Sequence, residues 1–153
     1  MAIPRVYADT SVFGGVFDAE FAGPTSAFWN QVREGKFALV SSAVVRREME
    51  DAPSRVRQLF DDMMLFAEIA EVSAAALSLR SAYLNEGIVG PSYADDALHV
   101  ALATVSSCTV IVSWNFKHIV HSRKIPLYNA INVLRGCAPL AIHSPSEVID
   151  YEE

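Results

Sequence analysis

Glycine and proline are sparse, seven of each in 153 residues, and nowhere do they gather with serine into a tract that could act as a linker. With no internal repeat and no low-complexity stretch either, the expected organisation is one domain over residues 1–153. A chain of that length can bury a substantial core. Cysteine is scarcer still. Cys108 and Cys137 are the only two, and neither stands in a CxxC or CxxH spacing. This excludes a disulfide framework and a zinc knuckle, and leaves small buried thiols suited to a reducing cytoplasm. Long apolar runs are also missing. The best candidate, Ala97 to Val112, is broken by His99, Thr104, Ser106, Ser107 and Thr109, and falls short of the roughly 20 apolar residues a membrane span needs. Met1 to Arg5 lacks the basic-then-apolar layout of a secretion signal, so a cytoplasmic protein with no membrane partner is expected. A basic surplus is absent too: 12 Lys and Arg face 18 Asp and Glu, a formal net charge of −6. The chain as a whole repels nucleic acid. A nucleic-acid substrate would have to be drawn in by a local basic patch and by bound metal.

What the chain does have is alternation of apolar strands and helical stretches. Ile3 to Ala8 is a short apolar run ending at Asp9, and reads as a buried strand. Asp9, Thr10 and Ser11 supply capping side chains for a helical turn through Val12 and Phe13, which Gly14 and Gly15 interrupt. Pro24 suits a first helical turn, and Phe28, Trp29 and Val32 recur at helical spacing as far as Gly35. Phe37 to Val40 predicts a second strand. Ser41 and Ser42 then cap a helix that carries Val44, Val45, Glu48 and Met49. Past Pro53 a helix runs through Val56, Leu59, Phe60 and Met63, a stripe fit for the core or a dimer face. Ile69 to Val72 predicts an edge strand, and Ser73 caps an Ala- and Leu-rich helix ending near Gly87. A strong helix spans Tyr93 to Ala103 with acids in its first turn, and Thr109 to Val112 is a nearly all β-branched strand. A helix over Leu127 to Leu134 and an apolar piece at Leu140 to Ile142 complete the order. The expected fold class is α/β, a three-layer α/β/α sandwich with a mainly parallel central sheet. In such sheets ligands lie outside the carboxyl ends of the strands. Asp9 and Asn115 each follow a strand, so both are placed on one rim.

Four polar groups, Asp9, Glu48, Asp96 and Asn115, sit at four separate turns, each after an apolar run. Every one of the acids has an ordinary role open to it: Asp9 as an N-cap, Glu48 in exposed ion pairs with Arg46 or Arg47, Asp95 and Asp96 as helix N-terminal acids. Together they suggest more. An acid opening a buried helix of small residues such as Ala97, Ala101 and Ala103 is costly unless something positive offsets it. Hard divalent cations prefer carboxylate oxygens, and a cluster without His or Cys ligands favours Mg²⁺ or Mn²⁺ over zinc. Such an ion acidifies its water and neutralises charge on a phosphate.

Four stretches, Tyr7 to Phe13 (YADTSVF), Ser41 to Glu48 (SSAVVRRE), Asp96 to Ala103 (DALHVALA) and Val112 to Lys117 (VSWNFK), resemble in content and order the PIN domain, specifically the VapC-like toxin ribonucleases and their relatives. The resemblance covers the chain up to about Lys117. It implies a Mg²⁺- or Mn²⁺-dependent endoribonuclease acting on RNA, with an antitoxin partner of a type II pair and a tendency to homodimerise. By the same match Asp9, Glu48 and Asp96 are the catalytic, metal-binding acids. The usual fourth acid falls on Asn115, an amide that offers an oxygen but no charge, so weaker metal affinity is expected. Asp95 is a poor substitute, because adjacent helical residues point about 100° apart.

Thr10, Ser113, Trp114 and Lys117 are the candidate substrate contacts, Trp114 either by stacking on a base or as packing at a strand end. Lys117, His118, Arg123 and Lys124 form the densest basic segment near the rim. His99, three residues after Asp96, reads either as a group polarising a ligand or as a packed helix histidine. Two rival classes stand beside this reading, and the second does not fit. One is a PIN fold that has lost metal binding and serves as an interaction module. The other is a phospho-aspartate enzyme or receiver, whose acid pairs this chain lacks.

Overall fold

The computed structural model describes residues 2–151. Five parallel strands form one sheet in the order β3-β2-β1-β4-β5: β1 (Arg5–Ala8), β2 (Ala38–Ser42), β3 (Ala67–Ala70), β4 (Val110–Val112) and β5 (Ala141–His143). The central three strands are nearly all Val, Ile, Leu, Tyr and Ala, as strands covered on both faces must be. Val6, Tyr7, Ala8, Ile111 and Val112 are wholly buried. Every parallel step needs a crossover, and seven α-helices among the described residues supply them: α1 (Thr10–Gly15), α2 (Ala22–Arg33), α3 (Ala43–Glu48), α4 (Ser54–Met63), α5 (Ala74–Asn85), α6 (Ala94–Val105) and α7 (Ile125–Leu134); α8 (Pro145–Val148) follows β5. α1 packs on α2 and α4, and α2 on α8; separately, α5 packs on α6 and α7. The α/β fold with a parallel sheet read from sequence is present.

Helix starts follow the capping residues. Ser42 accepts from the Val45 N–H at 3.3 Å and Ser73 from the Ala76 N–H at 3.1 Å, each satisfying one of the donors a helix start leaves free. The edge strand β3 lies two residues earlier than its sequence pattern suggested. Helix α8 was not anticipated, although Ser144 and Glu147 form a complete capping box there.

The chain first moves outward one way from β1 through β2 to β3, then returns to β4 and continues to β5 on the other side. Strand order therefore reverses between β1 and β4, and the crevice at their carboxyl ends is where such sheets hold ligands. Tyr7 pairs with Ile111 and Ala8 with Val112, so the residues that follow, Asp9 and Ser113, emerge side by side. No helix among the described residues is long and apolar enough to cross a membrane.

Candidate active site at the strand reversal

Asp9 ends β1 and is 4% exposed. Its Oδ1 accepts from the Ser11 N–H at 3.1 Å and the Ser11 hydroxyl at 2.5 Å, and its Oδ2 accepts from the Ser113 hydroxyl at 2.6 Å. The N-cap role is real: Asp9 caps α1. Yet the carboxylate is held only by neutral donors, with no Lys or Arg against it among the described residues. Burial pushes its pKa up, against the opposing pull of His99 and the two serine hydroxyls. A carboxylate in that condition is a ready acceptor for a cation.

Glu48 reaches the same rim from the last turn of α3. Its Oε1 accepts from the Thr10 hydroxyl at 2.9 Å and lies 2.6 Å from His99 Nε2. His99, 2% exposed on α6, is fixed from behind by Tyr7, whose hydroxyl sits 2.7 Å from Nδ1 and 2.7 Å from Ser42 Oγ. The chain of contacts runs from the Val45 N–H through Ser42, Tyr7 and His99 to Glu48. In either charge state of the ring, Nε2–H donates to Glu48 while Nδ1 meets the Tyr7 hydroxyl. Burial alone would pull the imidazole's pKa down, but the bond to Glu48 and the charges of Asp9, Glu48 and Asp96 outweigh it, so the net shift is upward. Burial likewise lifts Glu48, and the hydrogen bond and charge of His99 more than reverse it, leaving Glu48 below the usual carboxylate range. The two shifts agree with one another: each partner of this half-buried pair favours the charged form of the other.

Asp96 opens α6, is half-buried and has no salt-bridge partner among the described residues. Its neighbour Asp95 turns outward to Arg47 at 3.0 Å, the divergence that helix geometry demands. Thr10, next to Asp9, and His99 on α6 both hold Glu48, and Asp96 stands one helical turn before His99 on α6, so β1, α3 and α6 meet at this rim.

Asn115 is placed there too, but its side-chain oxygen is already engaged. Oδ1 accepts from the His118 N–H at 2.9 Å, closing a turn that begins where the Asn115 N–H meets Ser113 Oγ at 2.9 Å. Thr10 and Ser113 are turned onto the acids as their hydrogen-bond donors. Trp114 is committed to packing: its indole N–H donates to Thr25 Oγ1 at 2.9 Å and its ring stacks on Phe21 at 4.2 Å. Lys117 is exposed, with Nζ 5.7 Å from the centre of the Tyr93 ring. Sequence reading missed Tyr7 and Ser42 as parts of this network. A signal existed, since Tyr7 is two residues before Asp9 on one strand and His99 three after Asp96 on one helix, so each pair shares a face.

The donors on the acids are hard oxygens, which suits Mg²⁺ or Mn²⁺. No three of His, Cys, Asp and Glu among the described residues already stand as a metal-holding group. The fit is that of a site offering one or two carboxylates with water completing the sphere, a common arrangement for Mg²⁺.

The fold is of the PIN type that the sequence resemblance implied. Among solved structures the chain is similar to VapBC2 from Rickettsia felis bound to a DNA fragment from their promoter, with TM-score 0.58, 12% identity and coverage of 92% of this chain and 98% of that one. It is similar to FitAcB from Neisseria gonorrhoeae, with TM-score 0.59, 11% identity and coverage of 92% and 97%. It is also similar to FitAB bound to an IR36 DNA fragment, with TM-score 0.61, 11% identity and coverage of 96% and 99%. At such identities the likeness is one of fold. No family model and no curated protein matches the sequence.

Proposed function

We propose that this chain is a Mg²⁺- or Mn²⁺-dependent endoribonuclease, the toxin of a toxin–antitoxin pair in the cytoplasm. The observation that carries the reading is Asp9: a buried carboxylate at the point where strand order reverses, with no Lys or Arg paired to it among the described residues, and with Glu48 held nearby by Thr10 and His99. Asp9 and Asp96 would hold the ion. When bound, a hard divalent ion lowers the pKa of its water and offsets charge on a phosphate.

The protein's own contribution is orientation and proton handling. Ser11 and Ser113 fix the Asp9 carboxylate by three donors, so that it does not rotate away from an incoming cation. His99 and Thr10 both hold Oε1 of Glu48, which leaves Oε2 to orient the attacking water and take its proton. Because Glu48 stays ionised well below neutrality, it is in the accepting state at working pH. In-line attack leaves a 5′-phosphate and a 3′-hydroxyl. Lys117, Arg123 and Lys124 are the phosphate contacts on an otherwise acidic surface. The structural neighbours bound to DNA fragments support an antitoxin partner for this chain too, and a homodimer accompanies that reading.

The test is incubation of the purified protein with a mixed RNA pool. Cleavage should need Mn²⁺ or Mg²⁺, stop in EDTA, and vanish in Asp9→Asn while the fold persists. Metal-dependent cleavage by Asp9→Asn would remove Asp9 from the mechanism.

A second reading, an interaction module that no longer cleaves, is favoured by two observations. Glu48 is already hydrogen-bonded to His99 and Thr10, and the Asn115 oxygen accepts the His118 N–H in a turn. Thermal shift with Mn²⁺ separates the two readings. An ion at about 100 times its Kd adds about 2.7 kcal/mol of stability, whereas a module without a site gains nothing.

A further inference from the structure

Trp114, the candidate stacking residue by sequence, is committed to packing, but two other rings stand open at the same rim. Tyr93 is 41% exposed, ends the short turn Pro91–Tyr93 that leads into α6, and precedes Asp96 by three residues. Phe116 is 48% exposed and follows Asn115 directly. Each ring is backed by a second one. The buried imidazole of His118 lies against Tyr93, ring centres 3.8 Å apart and planes 30° apart. Neither His118 nitrogen has a hydrogen-bond partner among the described residues. Burial, helped by Lys124, Lys117 and His121 against the pull of Asp96, holds its pKa below the ordinary value, so a flat neutral ring supports the tyrosine. Phe116 meets Trp114 edge-on at 6.0 Å, and Trp114 is itself stacked on Phe21 and hydrogen-bonded to Thr25. Rings fixed in this way lose little freedom when a ligand is laid on them. Lys117 stands between the two in the chain, exposed, with Nζ 5.7 Å from the centre of the Tyr93 ring.

We propose that Tyr93 and Phe116 are stacking positions for unpaired bases of a single-stranded RNA, with a phosphate of the same strand at Lys117. This rests on the reading above in one respect, that RNA is what crosses this rim. The pattern of the surface favours a nucleotide strand over a protein. The two rings are separate, and the residues beside them, Lys117 and Asp96, are charged, so no continuous apolar face is offered to a partner helix. A single strand alternates flat apolar bases with phosphates, which matches isolated rings set beside a cation. Stacking tolerates any base, because each has a π-face. Bases inside a duplex already have those faces covered by their neighbours, so rings of this kind select unpaired nucleotides without reading sequence.

The experiment is fluorescence anisotropy of the full chain at low salt in EDTA, where no metal-dependent cleavage occurs. The probes are a labelled oligouridine of about 12 nucleotides and an abasic ribose-phosphate strand of the same length. Tyr93→Ala and Phe116→Ala should each weaken oligouridine binding about fivefold or more and leave the abasic strand unaffected. Tyr93→Leu and Phe116→Leu keep apolar bulk over His118 and Trp114, which covers the case in which an alanine variant fails to fold, and should show the same selective loss. Tyr93→Phe and Phe116→Tyr should bind as the wild type does. Leucine variants that bind oligouridine normally overturn the proposal and assign the rings to a protein partner. Equal loss on both strands also overturns it, because the rings then act through the fold and not through bases. Cleavage of a mixed RNA pool by the wild type with Mn²⁺ is scored separately. Selective loss without such cleavage supports the stacking positions and removes the nuclease reading. A wild type that binds no RNA, in EDTA or in Mn²⁺, overturns both.

Discussion

At the scale of single residues, the site consists of acids whose charges are compensated in different ways. Asp9 has hydroxyls only, and its raised pKa means the folded chain holds that proton longer than the unfolded chain does. The stability it confers is full below about pH 3.9 and is lost as pH rises through the folded value. Asp9→Asn removes that loss. At pH 7 the variant should melt at or above the wild-type temperature, and the fall in melting temperature as pH rises above about 4 should flatten while cleavage disappears. Glu48 and His99 behave oppositely. Glu48 is depressed, so its contribution holds at neutral pH and fades as acid drives pH through its folded value. His99 is raised, so its contribution is complete below about pH 6.5 and fades as pH climbs through its folded value. Removing the ring by His99→Ala leaves the Tyr7 hydroxyl with Ser42 alone and the half-buried carboxylate with Thr10 alone, and should cost about 2–3 kcal/mol. Glu48→Gln keeps an acceptor and should cost about 1 kcal/mol. Urea denaturation of the two variants measures the order; a more damaging Glu48→Gln would mean that the pair is not what holds His99.

At the scale of elements, the strands and caps were legible because they depend on local chemistry. The β-branched run at Val110–Val112, the Ser42 and Ser73 caps, and Asp9 closing β1 each declare themselves within a few residues. Three of the four rim positions were legible as acids for the same reason. What partners them was not: the Ser42–Tyr7–His99–Glu48 chain joins residues 35 to 92 positions apart, and only the crossovers decide which faces meet. Trp114 shows the same limit. An aromatic next to a rim reads equally as a stacking platform or as packing, and the deciding contact comes from α2, through Thr25. That contact has a consequence at Gly15, the last residue of α1. A Cβ there would fall 2.7 Å from the indole nitrogen and 2.9 Å from Thr25 Oγ1. Gly15→Ala gains helix propensity of about 1 kcal/mol but must displace an indole fixed by a hydrogen bond and a stack. Overpacking of that kind costs about 1–3 kcal/mol. The net effect should be lower stability by denaturant titration, in contrast to Gly14→Ala, where nothing lies within 4 Å of the added atom.

For the whole molecule, charge decides how RNA can approach. The formal net charge is −6, and the rim that would receive a phosphate is lined by Asp9, Glu48 and Asp96. Arg47, beside Glu48 but paired with Asp95, and Lys117, Arg123 and Lys124 along one loop carry the opposite sign. Without a divalent ion the rim therefore repels the substrate it is proposed to cut, and each rim carboxylate opposes binding by about 1 kcal/mol after solvent and salt screening. Single neutral substitutions should then act in opposite directions on binding and on cleavage. In EDTA at low salt, Asp96→Asn should bind a labelled single-stranded RNA about fivefold more tightly than the wild type, by fluorescence anisotropy. With Mn²⁺ present the wild type should recover or exceed that affinity, and the variant, with one carboxylate fewer for the ion, should gain little. Lys124→Ala should weaken both equally. Equal RNA affinity for wild type and Asp96→Asn in EDTA would mean that RNA does not cross this rim, and the basic loop would then be serving some other face of the protein.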